Sequence, residues 1–290
     1  MPVELYKRFE KATNVEIVEG YGLTEATCLV ACNPIDGTKK IGSVGISFPY
    51  TDVKILIART DGIKECSTDD VGEICVANPG VVVGGTYTEA EKNRDLYHEF
   101  NGVGYLRTGD LGRIDDEGYI WITGRAKDLI IRGGHNIDPA EIEEALMAHA
   151  EVAMAGAIGQ PDGYTGEMPC AYVELVEGGS VTGEELVEYC KVHVHERAAQ
   201  PKYIEVMPEL PKTAVGKVFK PDLRKSAITR IYNAELEKEG LNARVVKVID
   251  SKKQGLVAQI EKTGDVDEAK LNEVLGRFTR PWAWAEKETA

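Results

Sequence analysis

No apolar run in this 290-residue chain approaches the ~18–20 residues a helix needs to cross a bilayer. The opening stretch, Met1-Pro-Val-Glu-Leu-Tyr-Lys7, lacks the apolar centre of a secretory signal. A cytoplasmic setting, with no transmembrane segment, is the expectation. Cysteine is sparse: Cys28, Cys32, Cys66, Cys75, Cys170 and Cys190 include no pair at CxxC spacing, which argues against a zinc ribbon or a thioredoxin-like redox centre. Cys28 and Cys32 lie in an apolar stretch and read as small buried thiols. Histidine is scarce as well, and His193 and His195 have no second ligand cluster nearby in sequence. They read as a solvated helix face. Positive charge is in deficit, with 34 basic against 48 acidic residues and a formal net charge of −14. A field of that sign repels polyanions, so nucleic acid and anionic membranes are not expected as partners. An anionic small molecule stays open, because a few local Lys, Arg and N–H groups can reverse the potential inside a cleft. Internal repeats and low-complexity tracts are absent.

What is present is an ordinary globular composition, 43% apolar and 28% charged, long enough for one large or two medium domains. Residues 1–40 offer one short helix (5–9) and one short strand (15–18), too little for a core, and read as the end of something larger. Residues 41–123 turn to short β runs at 53–57, 72–76 and 111–123, the last bent at Asp115-Asp-Glu-Gly118 into a hairpin. Residues 124–224 change texture. Asp138-Pro139-Ala-Glu141 and Thr182-Gly-Glu-Glu185 each open a helix with a cap and an acid three residues on. Strands at 152–158 and 171–176 alternate with them, which predicts a compact α+β domain. Residues 225–290 read as an appendix: a helix over 225–238, a hairpin over 243–260 and a helix opened at 265–268, with Pro281-Trp-Ala-Trp284 stapling the end. The predicted class is α+β, with a small β-barrel-like subdomain followed by an α+β domain and a ββα extension.

Four short blocks carry chemistry. Gly20-Tyr21-Gly22-Leu23-Thr24-Glu25 follows a predicted strand; its glycines allow a planar ligand or phosphate close to the backbone, and its hydroxyl and carboxylate suit a phosphate oxygen and Mg²⁺. Thr108-Gly109-Asp110 places a carboxylate, able to accept two ribose hydroxyls, after a glycine turn. Gly124-Arg125-Ala-Lys127-Asp128 offers a guanidinium fork and, in Lys127, a candidate hinge at the change of texture; Gly133-Gly134 follows, permitting close backbone approach to a narrow ligand. Pro211-Lys-Thr-Ala-Val-Gly216-Lys217 puts an amine in a flexible loop. Each block alone is also explained structurally, as a glycine turn, an Asx-type turn, a linker or a surface lysine.

Their order and spacing together resemble the adenylate-forming superfamily, which includes acyl-CoA synthetases, adenylation domains of peptide synthetases, and luciferases. Further matches are Gly42-Ser-Val-Gly45, Gly72-Glu73 with Gly84 and Tyr87, Asn136-Ile-Asp-Pro139-Ala-Glu-Ile-Glu143 and Gly166-Glu167-Met-Pro169, so the resemblance runs from Gly20 to Lys220. It implies that residues 1–40 end a large N-terminal domain and that 124–224 form a mobile C-terminal domain. Gly20, Tyr21 and Gly22 would line adenine, Thr24 would bind phosphate, Glu25 would hold Mg²⁺, and Asp110 and Arg125 would bind ribose. Lys127 would be the hinge, and Gly133 and Gly134 would border the channel of the CoA pantetheine. Lys217 would bridge carboxylate and α-phosphate during adenylation.

The implied reaction is the AMP-forming acid–thiol ligation of an acyl-CoA synthetase: a carboxylic acid, by default a fatty acid, is activated with ATP to acyl-AMP and passed to CoA. Two departures stand out. His135 occupies a position where the family often has Glu, and no role is carried onto it. The Ser/Thr/Gly-rich phosphate loop and most of the large domain have no counterpart here, so Met1 reads as a truncated start and the chain alone is expected to be inactive. An adenylation domain serving a carrier protein is the alternative inside the superfamily, disfavoured by the glycine pair and by the lack of a downstream carrier-type Ser motif. A non-catalytic nucleotide-binding or interaction module is the alternative outside it. A homo-oligomer is compatible with the sequence, which does not fix the oligomeric state.

Overall fold

The computed structural model describes residues 3–251 and 253–285 and divides into two compact units, Met1–Asp128 and Leu129–Ala290. Both are mixed α/β. The first opens with the helix Val3–Thr13. A three-stranded antiparallel sheet follows, formed by Gly20–Leu23, Cys28–Cys32 and Ile46–Ser47. The larger sheet of this unit has six antiparallel strands, in the order Gly62–Glu65, Asp52–Arg59, Gly72–Ala77, Val103–Ile114 and Tyr97–Phe100, with Ile120–Arg125 also on Val103–Ile114. Tyr21, Val30, Ala31 and Val44 bury against Val53, Ile55, Ile74, Val76, Leu106 and Ile120, so one core unites the two sheets.

Two expectations fail in this unit. Residues 15–18 form no strand, and Val15 is 55% exposed. Cys28 is exposed and Cys32 only half-buried, because Thr27 and Cys28 take positive φ (57° and 86°) in the turn that reverses the chain.

In the second unit, five strands form one sheet: His135–Ile137, Ile130–Arg132, Gly166–Leu175 and Val152–Asp162 in order, with Tyr203–Met207 parallel to Gly166–Leu175. Side chains alternate across the sheet. Ala171 and Val173 bury on one face with Ile142, Leu146, Leu186 and Cys190 from the helices Pro139–Met147 and Gly183–His193. Cys170 and Tyr172 bury on the other with Leu223 and Ala227 of the helix Lys220–Lys238. Both sequence-predicted caps form: the Asp138 carboxylate accepts from the Ala140 N–H, and Thr182 and Glu185 make a reciprocal capping box.

The long helix starts five residues before the predicted 225 and serves two cores. Its second half, Ile228, Tyr232 and Leu236, packs with Val245, Val248, Ala258, Ile260, Leu271 and Val274 of the C-terminal segment. That segment is an antiparallel hairpin, Ala243–Ser251 with Gly255–Lys262, a helix Glu268–Leu275 capped by Asp267, and a third strand, Trp282–Trp284, parallel to Gly255–Lys262. Trp282 and Trp284 pack against its core. Among the described residues no helix is long and apolar enough to cross a membrane.

Candidate functional site

The first unit brings three of the sequence blocks together on one carboxylate. Asp110 owes its position to a bulge. Cys75 pairs with Arg107 and Glu73 with Leu111, so Ile74 alone faces Thr108, Gly109 and Asp110. The bulge is internally satisfied. Thr108 Oγ1 donates to the Ile74 carbonyl at 2.8 Å, the Asp110 N–H donates back to Thr108 Oγ1 at 3.1 Å, and the Gly109 N–H donates to Glu73 Oε1 at 3.2 Å. The other Glu73 oxygen accepts from Arg107 Nε at 3.0 Å.

Asp110, only 9% exposed, accepts from the Tyr21 hydroxyl at 2.6 Å on Oδ2 and from Arg125 Nε at 3.1 Å on Oδ1. Arg125 lies directly across the ladder from Asp110. Its side chain is 57% exposed, and Nε is one of its five donors. Each Asp110 oxygen keeps a second acceptor direction. Burial first, and then the Asp110 carboxylate, push the Tyr21 phenol far above its ordinary value of 10, so it remains a donor.

Gly22 has a role that spacing alone did not reveal. A Cβ there would fall 1.7 Å from the Cys28 carbonyl oxygen, so the space beside it is filled by the returning chain. The following residues, Thr24–Ala26, form one turn of 3₁₀ helix with Thr24 exposed and Glu25 half-buried. Glu25 accepts a short hydrogen bond from the Tyr87 hydroxyl, and this acceptor is the main cause that raises the Tyr87 phenol above its usual value. Two more bonds tie the Tyr87 loop to this turn: Asn78 Nδ2 donates to the Ala26 carbonyl at 3.1 Å, and Thr27 Oγ1 donates to the Gly80 carbonyl at 3.0 Å. Tyr87 and Glu73 were not among the candidate site residues. The signal was in hand, since both belong to the matched Gly72-Glu73…Gly84…Tyr87 pattern, but their partners lie 62 and 36 residues away.

Among the described residues no group of three or more His, Cys, Asp or Glu side chains could hold a metal by itself. A magnesium ion carried by one carboxylate, waters and substrate phosphates needs no such group. Glu25, half-buried with one oxygen on Tyr87, fits that mode of binding.

Lys127 lies exposed in the 3₁₀ turn Ala126–Asp128 that closes the first unit. The remaining candidates belong to the second unit. Gly133 and Gly134 are the two turn residues between paired Arg132 and His135, with φ of 58° and 84°, the turn chemistry of a tight hairpin. Open space surrounds both Cα atoms. Arg132 Nη1 donates to the Ala198 carbonyl at 2.7 Å, and His135 Nε2 lies 2.8 Å from the Glu196 carboxylate.

Lys217 sits on a separate loop pinned by a turn, Gly216 N–H to Thr213 carbonyl at 2.9 Å, and by the Lys212 to Val218 bridge. Its neighbours Lys212 and Lys220 are engaged by Glu174 at 2.9 Å and Glu143 at 2.8 Å. Among the described residues no carboxylate pairs with the exposed Lys217.

The fold is mixed α/β, and its first unit sets the Tyr21 phenol and the cross-strand Arg125 on one bulge-mounted aspartate. The profile of the AMP-binding enzyme family matches residues 1–84, and that of the AMP-binding enzyme C-terminal domain matches residues 141–217. The chain belongs to this AMP-binding, adenylate-forming family. It is 46% identical over 222 residues to the marinolic acid–CoA ligase of Pseudoalteromonas sp. (strain SANK 73390), an overlap of 76% of this chain and 33% of that protein. It is 39% identical over 220 residues to the long-chain-fatty-acid–CoA ligase of Bacillus subtilis (strain 168), covering 76% of this chain and 38% of that protein. The crystal structure of ATP-bound MatB from Rhodopseudomonas palustris superposes with a TM-score of 0.69 at 32% identity, over 77% of this chain and 42% of that one. The chain thus spans between a third and two-fifths of the length of these two ligases.

Proposed function

We propose that this chain contributes the adenylate-handling and thiol-handling parts of an AMP-forming acyl-CoA synthetase, acting on a fatty acid. The observation that carries the reading is the convergence of Tyr21, Asp110 and Arg125, which lie 89 and 15 residues apart along the chain. The Asp110 oxygens would accept ribose hydroxyls, the exposed Arg125 would add donors beside them, and the Tyr21 ring, with Gly20 and Gly22, would border adenine. Thr24 would donate to phosphate. Glu25, with Tyr87 behind it, would hold Mg²⁺, which when bound neutralises phosphate charge. The CoA-ligase names of the relatives support the thioester product, and the Bacillus subtilis relative supports the choice of acid.

In this reading two half-reactions follow. A carboxylate oxygen of the acid bonds to the α-phosphorus of ATP and pyrophosphate leaves. The CoA sulfur then bonds to the acyl carbon, its proton passing to solvent, and AMP leaves. The unpaired ammonium of Lys217 would offset charge developing on the α-phosphoryl oxygens in the first step. Gly133 and Gly134 would border the pantetheine arm in the second. Residues 41–123 would be the β-barrel-like subdomain, 124–224 the domain that moves, with Lys127 as its pivot, and 225–290 an extension.

The test joins this chain in frame to the preceding part of the Bacillus subtilis relative and measures each half-reaction in single turnover. Lys217→Ala should slow acyl-AMP formation by about 10²–10³, the cost of losing one transition-state donor. Thioester formation from supplied acyl-AMP should be largely spared. Equal loss in both steps, or no acyl-CoA from the parent chimera with any fatty acid, would overturn the reading.

A further inference from the structure

The family profile ends at Lys217, yet the chain continues through a packed hairpin, helix and third strand. One side chain of that continuation reaches back toward the glycine turn of the same unit. Arg280 Nη2 donates to Glu167 Oε1 at 2.9 Å, and the other oxygen of Glu167 accepts from the Ile131 N–H at 3.0 Å. Ile131 is two residues before Gly133. The Glu167 side chain is only 16% exposed, so its bonds are poorly screened.

Other ties hold the flanks of the hairpin: Ile130 and Ile137 are buried in the core of the sheet, Arg132 donates to the Ala198 carbonyl, and His135 pairs with Glu196. Its strand Ile130–Arg132 meets the sheet at a single residue pair, Arg132 with Gly166. Beyond that, the Gly133 N–H donates to the Thr165 carbonyl at 2.7 Å, and Thr165 Oγ1 donates to the Glu167 carbonyl at 2.9 Å. The backbone at Arg280 is anchored. The buried Tyr232 hydroxyl donates to its carbonyl at 2.6 Å, and the carbonyl of the next residue, Pro281, accepts from the Ala258 N–H at 3.0 Å. Tyr232 and Ala258 belong to the core that the extension forms with the long helix.

We propose that Arg280 is a positioning residue for the thioester-forming step: by orienting Glu167 it fixes the height of the Gly133 and Gly134 turn over which a pantetheine thiol would pass. This rests on the function proposed above. The extension is then part of the thiol channel's scaffold, because a carboxylate with both oxygens engaged has one orientation, whereas one with a free oxygen can rotate away from the Ile131 N–H.

The test has two arms. In the chain as it stands, Arg280→Gln should raise amide hydrogen exchange at Ile131 and Gly133 by about tenfold, the loss of one charge-assisted bond. Exchange at Tyr172 and Val173 should not change, and Arg280→Lys should restore most of the protection. Arg277→Gln, on the same segment but paired with exposed Glu273, serves as the control and should change nothing. In the chimera described above, Arg280→Gln should raise the KM for CoA in the thioester step about five- to tenfold, leaving acyl-AMP formation unchanged. Unchanged exchange at Ile131 and Gly133 would overturn the coupling. Faster exchange with an unchanged KM for CoA would overturn the role in the thiol step. An inactive parent chimera would instead remove the proposed function, with the exchange arm still deciding whether Arg280 positions the turn.

Discussion

Replacing Tyr21 with Phe deletes one oxygen and should unfold the first unit more easily by about 2 kcal/mol. The figure follows from the geometry. The deleted bond is 2.6 Å long and joins two groups that are each 9% exposed; hydrogen bonds to a charged partner are worth about 1.5–3 kcal/mol. Arg125 does not compensate, because a side chain 57% exposed is screened by water and such pairs contribute about 1 kcal/mol or less. At a urea slope of about 2 kcal/mol/M, the unfolding midpoint should fall by about 1 M. Trp121, which donates to Asp115 at 3.0 Å in the first unit, can report alone if Trp282 and Trp284 are changed to Phe. The effect also has a pH signature. The Tyr21 phenol is raised in the folded state, so its contribution is complete below the unfolded value of 10 and drains away as pH rises above it. The gap between parent and Tyr21→Phe should therefore narrow above pH 10. An unchanged midpoint at neutral pH, or a gap that persists undiminished in strong alkali, would refute the assignment of Tyr21 as a buried donor to Asp110.

Two further outcomes are expected. Burial pushes the Asp138 carboxyl up to about 6, so the ionised form costs stability that is regained as pH falls toward its ordinary 3.8. Asp138→Asn keeps the helix cap without the charge and should stabilise the second unit by about 1–3 kcal/mol at pH 8, with the gain gone below pH 4 in urea titrations. Gly22→Ala would place a Cβ 1.7 Å from the Cys28 carbonyl oxygen and should cost about 3 kcal/mol or more by thermal unfolding, whereas Gly109→Ala, at φ 72° with open space around it, should cost only about 1 kcal/mol. Equal losses for the two alanines would show that the glycine turn, not the returning chain, sets the need at Gly22.

What the sequence disclosed, and what it withheld, divides by the range of the interaction. The caps at Asp138 and Thr182 were legible because donor and acceptor sit within three residues, so composition fixes geometry. The hairpin over 243–260 was legible for the same reason, its turn and both strands being contiguous. Residues 15–18 carried the alternation of a strand and formed none, since a strand needs a partner and periodicity says nothing about where one lies. Cys28 escaped the buried reading through two successive positive φ angles, a reversal that neither Thr27 nor Cys28 advertises.

The site follows the same rule. Block order named Tyr21, Asp110 and Arg125 as residues of one function, but only the fold shows how they meet: the Thr108, Gly109 and Asp110 bulge turns the carboxylate toward a phenol 89 residues away. Glu73 stabilises that bulge through the Gly109 N–H while its other oxygen holds Arg107, so its presence in the motif is explained by support of its neighbours. A motif residue of this kind is invisible to reasoning that asks of each position what it could bind. It becomes visible on asking which unpaired backbone groups a functional bulge creates, and which side chain must then satisfy them.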